Sequence, residues 1–285
     1  MVVVAGGERS ILSKDVRLWI GFSMVAVVVV MAVLGILEVF GDPNETDLGQ
    51  RLLPPSKEHP LGTDHFGRDL LARIVGGATI SLQVSLAAGV MILLLGTTLG
   101  IVAGFFRNAL GSAAVNVIDT LLAIPPLILA ILAVATIGAG VLNATVAISF
   151  ALAPRLARIV RSVVLSLRER VFVEAAGALG ASELRVLIRY ILPNVAPVVL
   201  VTSSILIANA IVVEASLSFL GLGTQPPNPS WGLIVSEGRQ TLRSAPWNSG
   251  SGGVAIMWLV LGLNLLGDAV RDRSDPHLRR ELDKG

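Results

Sequence analysis

The sequence contains no cysteine and little charge of either sign. Without cysteine, a disulfide framework, a thiol nucleophile and a cysteine-ligated metal are all excluded. Charged residues make up 15% of the 285 residues, whereas an ordinary soluble domain has about 25%. Because 53% of the residues are hydrophobic and the mean hydropathy is +0.77, too few polar groups are available to cover a soluble surface. This composition excludes a conventional soluble globular protein and a disordered chain.

Several catalytic signatures are also missing. No lysine follows a glycine-rich run, so the sequence has no phosphate-binding loop of the Walker A type. If the protein uses ATP, another chain must hydrolyse it. The histidines His59, His65 and His277 lie outside the apolar runs, and no H-E-x-x-H or G-x-S-x-G motif is present. The sequence therefore favours neither a metal centre nor a serine hydrolase.

Long apolar runs dominate what is present. A helix needs about 20 apolar residues to cross a bilayer, and six runs indicate spans: 18–40, 80–106, 115–137, 141–153, 195–220 and 253–270. The helical pattern of the fourth run continues past Pro154 to Leu167. Pro125 and Pro126 should kink the third run. The sequence thus predicts an all-α polytopic membrane protein with six transmembrane helices.

The distribution of lysine and arginine predicts the orientation. If the amino terminus is cytoplasmic, sixteen basic residues lie inside and six lie outside, which is the bias expected of membrane proteins. Both termini are then cytoplasmic. The predicted organisation is a cytoplasmic segment 1–17, a membrane domain 18–270 and a cytoplasmic tail 271–285, with extracytoplasmic loops 41–79 and 221–252 and a long cytoplasmic segment 155–194.

Two carboxylates fall within the predicted spans, Asp119 in the third and Glu214 in the fifth. Burying a charge in a membrane is costly, so such residues are candidates for a functional role. We take them as candidates for lining a translocation pathway. The alternative is a structural role in which they hydrogen-bond neighbouring helices.

Small residues recur in the second span as Gly96, Gly100 and Gly104. This four-residue spacing lets another helix approach closely. It predicts packing and carries no information about a substrate.

The segment between the fourth and fifth spans is unusually long. Its pattern predicts a short helix over 173–179, a turn at Gly180, and a second helix that Ser182 caps and Pro193 ends. Small residues at the bend would let a partner surface approach the backbone. An amphipathic hairpin lying on the bilayer is the alternative.

This segment resembles the cytoplasmic signature of the permease subunits of binding-protein-dependent ABC importers. The motif E-A-A, three residues, G, and a later L-P falls on Glu174, Ala175, Ala176, Gly180 and the pair 192–193. Tyr190 departs from the isoleucine usual in that family. In the family this segment is the coupling helix, which docks on the ATPase subunit.

Three further blocks are similar to the dipeptide and oligopeptide permeases of that family, in particular to the C-type partner of their heterodimer. They are HPLGTDHFGRDLLARIVGGATISL (59–82), ASLSFLGLGTQPPNPSWGLIVSEGR (215–239) and NLLGDAVRDRSDP (264–276). Nickel, glutathione and antimicrobial-peptide importers share these blocks, so the substrate stays open at this point. A proton-coupled secondary transporter, an intramembrane enzyme and a structural scaffold are the rival classes.

The resemblance implies a type I ABC importer permease (MetI-like) fold in the inner membrane of a prokaryote. The implied partners are a second homologous permease, two ATPase subunits or domains, an extracytoplasmic substrate-binding protein and membrane lipid, with no nucleic acid. ATP and Mg would be bound by the ATPase partners, with no cofactor and no metal on this chain. The residues implied to couple to the ATPase are Glu174, Ala175, Ala176, Gly177, Ala178, Leu179, Gly180 and Ala181.

Overall fold

The computed structural model describes the backbone of residues 7–274 and the side chains of residues 16–272. Residues 1–6 of the predicted amino-terminal segment 1–17 and residues 275–285 of the predicted tail 271–285 lie outside the described residues. The helices within the described part are α1 (Gly7–Ile36), α2 (Leu70–Phe105), α3 (Ala109–Leu122), α4 (Pro126–Ile137), α5 (Val141–Arg168), α6 (Val171–Ala178), α7 (Glu183–Val186), α8 (Leu192–Phe219), α9 (Trp231–Gly238) and α10 (Pro246–Ser274). A π-helical turn, Leu187–Ile191, joins α7 to α8.

Four of the described helical segments are long and apolar enough to cross a membrane: Val16–Ile36, Leu70–Phe105, Glu183–Phe219 and Pro246–Asp272. The bent pair α3 and α4 would supply a fifth span. With 28 residues, α5 has the length for a span, but Asn143, Arg155 and Arg158 lower its apolar character. The all-helical fold is confirmed, and the count of six spans stays a prediction.

The third predicted span is broken rather than kinked. The axes of α3 and α4 differ by 97° across the break. Pro125 has an extended backbone, and Pro126 opens α4, where its missing N–H costs no helical hydrogen bond. Two consecutive prolines remove two donors from the helix and disfavour helical backbone in the preceding residue. For this reason the chain turns sharply where the sequence predicted only a kink.

The predicted glycine stripe packs α2 against α5. An added Cβ on Gly96 would lie 2.7 Å from the Cβ of Leu156, and one on Gly100 would lie 2.5 Å from the carbonyl oxygen of Ala157. These distances leave no room for a side chain, so the backbones of the two helices touch. The facing side of α5 is completely buried, for example at Val160. This seam is the centre of the largest hydrophobic cluster.

Two loop regions cover the end of the helix bundle that lies farthest from α6. We call residues 37–69 and 220–245 the outer loops, since the sequence predicts that end to be extracytoplasmic. They are not loosely attached, because Thr63, Asp64 and Ser230 are inaccessible to solvent. Trp231, within the second of these regions, is fully buried and donates from Nε1 to the carbonyl oxygen of Ile74 at 2.9 Å.

Candidate functional site

The predicted coupling residues form a short helix and a tight turn at the end of the bundle opposite the outer loops. Helix α6 begins three residues after α5 ends. The junction is anchored by Arg168, whose Nη1 donates to the carbonyl oxygen of Phe105 and whose guanidinium lies 5.2 Å from the centre of the Phe105 ring. Because Phe105 is the last residue of α2 and Arg168 the last of α5, these two packed helices jointly position the start of α6.

Gly180 forms the turn after α6 in a left-handed conformation with φ of +82°. The N–H of Ala181 donates to the carbonyl oxygen of Ala176 at 3.0 Å, and the N–H of Gly180 donates to that of Gly177 at 2.9 Å. This pair of bonds is the Schellman pattern that ends helices at a glycine. Ser182 then caps α7, accepting from the N–H of Arg185. The helix–turn–helix predicted for this segment is therefore present, but the prediction that Pro193 ends the second helix is wrong. The helical backbone continues from Glu183 through the π-helical turn into α8, where Pro193 stands in the first turn and its missing N–H is tolerated.

Only one small face of the coupling segment packs against the bundle. Val173 and Ala176 are buried, one helical turn apart. Large apolar side chains point away from the bundle: Val171 is 80% exposed, Leu179 is 89% exposed and Leu184 is 64% exposed. The remaining predicted coupling residues are exposed or half-buried: Glu174, Ala175, Gly177, Ala178, Gly180 and Ala181. The result is an apolar, small-residue surface with a fixed backbone shape.

The structure pairs Asp119 with an arginine that the sequence did not link to it. Arg158 Nη2 on α5 donates to Asp119 Oδ1 on α3 at 2.9 Å. The two side chains are 58% and 57% exposed. Each lies about 15 Å, at 1.5 Å per residue, from the end of its helix that adjoins the coupling segment. An exposed ion pair is stable against water or another protein chain rather than against lipid.

Glu214, the second predicted pathway residue, is in a different environment. It is 2% exposed, and its Oε1 accepts from the hydroxyl of Ser218 at 2.7 Å. That hydroxyl also accepts from the N–H of Thr224, which follows the end of α8. Glu214 thus joins α8 to the loop after it, and no described cation lies within ion-pair distance. The structure does not bring Glu214 and Asp119 into contact.

A buried ionic cluster holds the outer loops, and sequence reasoning missed it. Arg68 Nε donates to Asp64 Oδ2 at 2.5 Å, and Arg68 Nη2 donates to Glu237 Oε2 at 2.8 Å. Arg73 also donates to Glu237 Oε2, at 2.9 Å. The four side chains are between 0% and 12% exposed. We call Asp64, Arg68, Arg73 and Glu237 the outer ionic cluster.

The signal for this cluster was present in the sequence. Asp64, Arg68 and Arg73 lie in the first of the three family-like blocks, and Glu237 lies in the second. Sequence reasoning counted the two arginines only as loop charges. Opposite charges in the blocks 59–82 and 215–239 could have suggested an ion pair between these blocks, but nothing in the spacing identifies the partners.

Comparisons with known proteins agree on one family. The family described as "binding-protein-dependent transport system inner membrane component" matches residues 96–280. A putative peptide transport system permease protein of Brucella abortus is 43% identical over 279 residues, which cover 98% of this chain and 93% of the relative. The dipeptide transport system permease protein DppC of Alkalihalophilus pseudofirmus is 40% identical over 268 residues, covering 94% of this chain and 88% of the relative.

A solved structure gives the same fold. It is a chain from the inward-facing conformations of the MetNI methionine ABC transporter, with a TM-score of 0.58 over 71% of this chain and 96% of the other. The sequences are 19% identical, so this likeness concerns the fold alone.

Proposed function

The chain belongs to the family of binding-protein-dependent transport system inner membrane components, and we propose that it forms half of the pathway of an ATP-driven peptide importer. As a member of this family it is a multi-pass membrane protein and a transport subunit. The substrate class is supported by the relatives that are named as peptide and dipeptide permeases. A second permease chain forms the other half of the pathway.

One observation supports the proposal that the segment around Leu179 and Gly180 couples this chain to an ATPase. The surface around Leu179 and Gly180 exposes large apolar side chains where the chain has no membrane span to bury them. An exposed apolar patch on an ordered backbone marks an interaction site. The partner is an ATPase subunit, which binds ATP and Mg, because this chain has no Walker A motif. When the ATPase subunits close, they move α6, and α6 transmits this movement to α5 and α2.

The orientation completes the arrangement. With both termini cytoplasmic, the coupling segment faces the ATPases and the outer loops face the substrate-binding protein. The basic residues support this orientation, since seven of the sixteen inside charges lie in the coupling region 155–194. The rigid outer ionic cluster then gives the binding protein a preformed surface on which to dock. The remaining surface contacts lipid in the inner membrane.

The Asp119–Arg158 pair marks the pathway face. It is exposed on this chain alone, and an exposed charged pair needs a wet or protein-covered environment rather than lipid. The face of α5 that carries Arg158 is therefore directed toward the second permease and the pathway between the two chains. Glu214, being buried, supports the geometry of α8 and its loop rather than touching solute.

Reconstituted transport tests the proposal. The permease pair, its ATPases and its binding protein are placed in proteoliposomes, and uptake of radiolabelled dialanine is measured with and without ATP. We expect ATP-dependent accumulation that disappears when the binding protein or the ATPases are left out. Accumulation of Ni²⁺ or glutathione but not of dialanine would contradict the peptide assignment. Accumulation driven by a proton gradient without ATP would contradict the importer class.

A further inference from the structure

A cavity of about 570 Å³ opens between α5, α8 and α10. Its walls include Arg155 on α5 and Arg271 on α10. Thr202 and Asn209, both on α8, lie between them in the same lining. A volume of this size falls in the range of small-molecule sites.

The two arginines of this cavity differ from the other arginines near them. Arg158 pairs with Asp119, and Arg17 lies 4.0 Å from Asp272. In contrast, neither Arg155 nor Arg271 forms an ion pair or hydrogen bond with any residue in the described part of the chain. Both side chains are exposed. The cavity therefore contains two cationic groups whose donors are available.

The chemistry of Arg155 makes this availability significant. Arg155 lies one turn from Arg158 along α5. A guanidinium without a protein partner keeps its N–H donors free for water or an anion. Its planar set of donors matches a carboxylate in a two-bond arrangement. Thr202 and Asn209 add uncharged groups that can hydrogen-bond a neighbouring amide.

We infer that this cavity binds the terminal carboxylate of a peptide during its passage, with Arg155 and Arg271 as the anion-binding groups. The inference rests on the proposed function, because it assumes that peptides enter the pathway. Every unmodified peptide has one terminal carboxylate whatever its side chains. Two cations that recognise this group would let the permease accept varied peptides and pass the carboxylate from Arg155 toward Arg271 at the inner end.

The test compares free dialanine with dialanine amide in proteoliposomes that contain the whole transporter. Uptake is measured for the wild type, for the double variant Arg155→Gln/Arg271→Gln and for the double variant with Lys at both positions. Arg17→Gln is the matched control, because Arg17 is an exposed arginine that does not line the cavity. The binding protein is the same throughout, so a change in the ratio of acid to amide uptake reports on the permease.

We expect the Gln double variant to take up free dialanine about tenfold more slowly, the scale of losing a charged hydrogen bond, and to lose its preference for the acid over the amide. The Lys variant should keep most of the preference, and Arg17→Gln should behave like the wild type. An unchanged ratio in the Gln variant, with normal wild-type uptake, would overturn this inference alone. Absence of wild-type dialanine uptake would overturn the proposed function and this inference with it.

Two other results would also overturn the inference. One is loss of the second permease from the purified Gln variant, which would make the arginines contacts between subunits. The other is an increase in wild-type thermal stability on adding phosphatidylglycerol but not on adding dialanine, which would assign the cavity to a lipid headgroup.

Discussion

Arg73 at the outer end of α2 and Glu237 at the end of α9 form a buried ion pair at 2.9 Å, although 164 positions separate them in the chain. The same Glu237 oxygen accepts from Arg68, and Arg73 Nη1 donates to the carbonyl oxygen of Pro43 at 3.3 Å. One carboxylate therefore connects both outer loops to the start of α2. This connection gives the outer surface a fixed shape before any partner binds.

Removing that carboxylate should destabilise the protein strongly. In Glu237→Gln, Arg68 and Arg73 remain buried with only Asp64 to balance them. Breaking a buried pair in this way typically costs about 3–5 kcal/mol. Chemical unfolding of the purified protein in detergent measures the loss. The control is Glu45→Gln, because Glu45 is an exposed carboxylate in the same loop region, and a similar loss in both variants would contradict the role of the cluster.

The pH dependence of the outer loops should reflect His65. Burial lowers the pKa of His65 below its ordinary value of 6.5; the nearby Asp64 and Glu237 raise it and Arg68 and Arg73 lower it, but the desolvation prevails. The unfolded chain then binds a proton near pH 6.5 that the folded chain does not bind. Stability therefore falls as the pH drops below 6.5 and stops falling once the folded-state pKa is passed.

The free energy of unfolding of the wild type and of His65→Gln, measured between about pH 5 and about pH 8, tests the direction of this pH dependence. The wild type should lose more stability toward low pH than the variant. Equal slopes for the two proteins, or a wild type that becomes more stable in acid, would contradict it.

Close contact of α2 with α5 makes Gly100 intolerant of a side chain. A Cβ there would meet the carbonyl oxygen of Ala157 at 2.5 Å and the Cβ of Val160 at 2.7 Å. We expect Gly100→Ala to force the helices apart and to cost about 1–3 kcal/mol. Gly253→Ala in α10 is the matched control, since no heavy atom lies within 4 Å of its added Cβ. An equal loss of thermal stability in Gly100→Ala and Gly253→Ala would contradict the close packing of α2 against α5.

The absence of native cysteine allows a direct test of the two intramembrane carboxylates. Asp119 is 57% exposed and Glu214 is 2% exposed. In the assembled transporter, a membrane-impermeant maleimide should label Asp119→Cys and should leave Glu214→Cys unlabelled. Substrate should slow the labelling of Asp119→Cys if this position lines the pathway. Labelling of Glu214→Cys alone would reverse the assignment of the pathway face.

Some elements of the fold could be predicted from the sequence, and others could not. The turn at Gly180 was predictable, because a glycine between two short apolar patterns followed by a capping serine is a local signal. The glycine stripe of α2 was predictable as packing, but its partner α5 was not, since a stripe does not say which helix it meets. The break at Pro126 exceeded the predicted kink: the two prolines determine where the helix ends, but the packing of α4 against α5 sets the angle at which the chain continues.

The site residues that the sequence missed are non-local. Arg68, Arg73 and Glu237 look like ordinary loop charges until the outer loops fold together. The pairing of Asp119 with Arg158 likewise joins two helices whose register no sequence period determines. Asp119 and Glu214 looked alike in the sequence, as single carboxylates in apolar runs, yet one is exposed and paired and the other is buried and bonded to a hydroxyl.

The most direct test of the account compares Gly180→Ala with Gly177→Ala in the reconstituted transporter. Neither added Cβ meets any atom within 4 Å, but only Gly180 has a left-handed φ, which costs a residue with a Cβ roughly 1–2 kcal/mol. The measurement is the number of dialanine molecules taken up per ATP hydrolysed. The account predicts a clear fall for Gly180→Ala and a wild-type ratio for Gly177→Ala, with both complexes assembled. A wild-type ratio for Gly180→Ala would contradict the claim that this turn transmits the force of the ATPase.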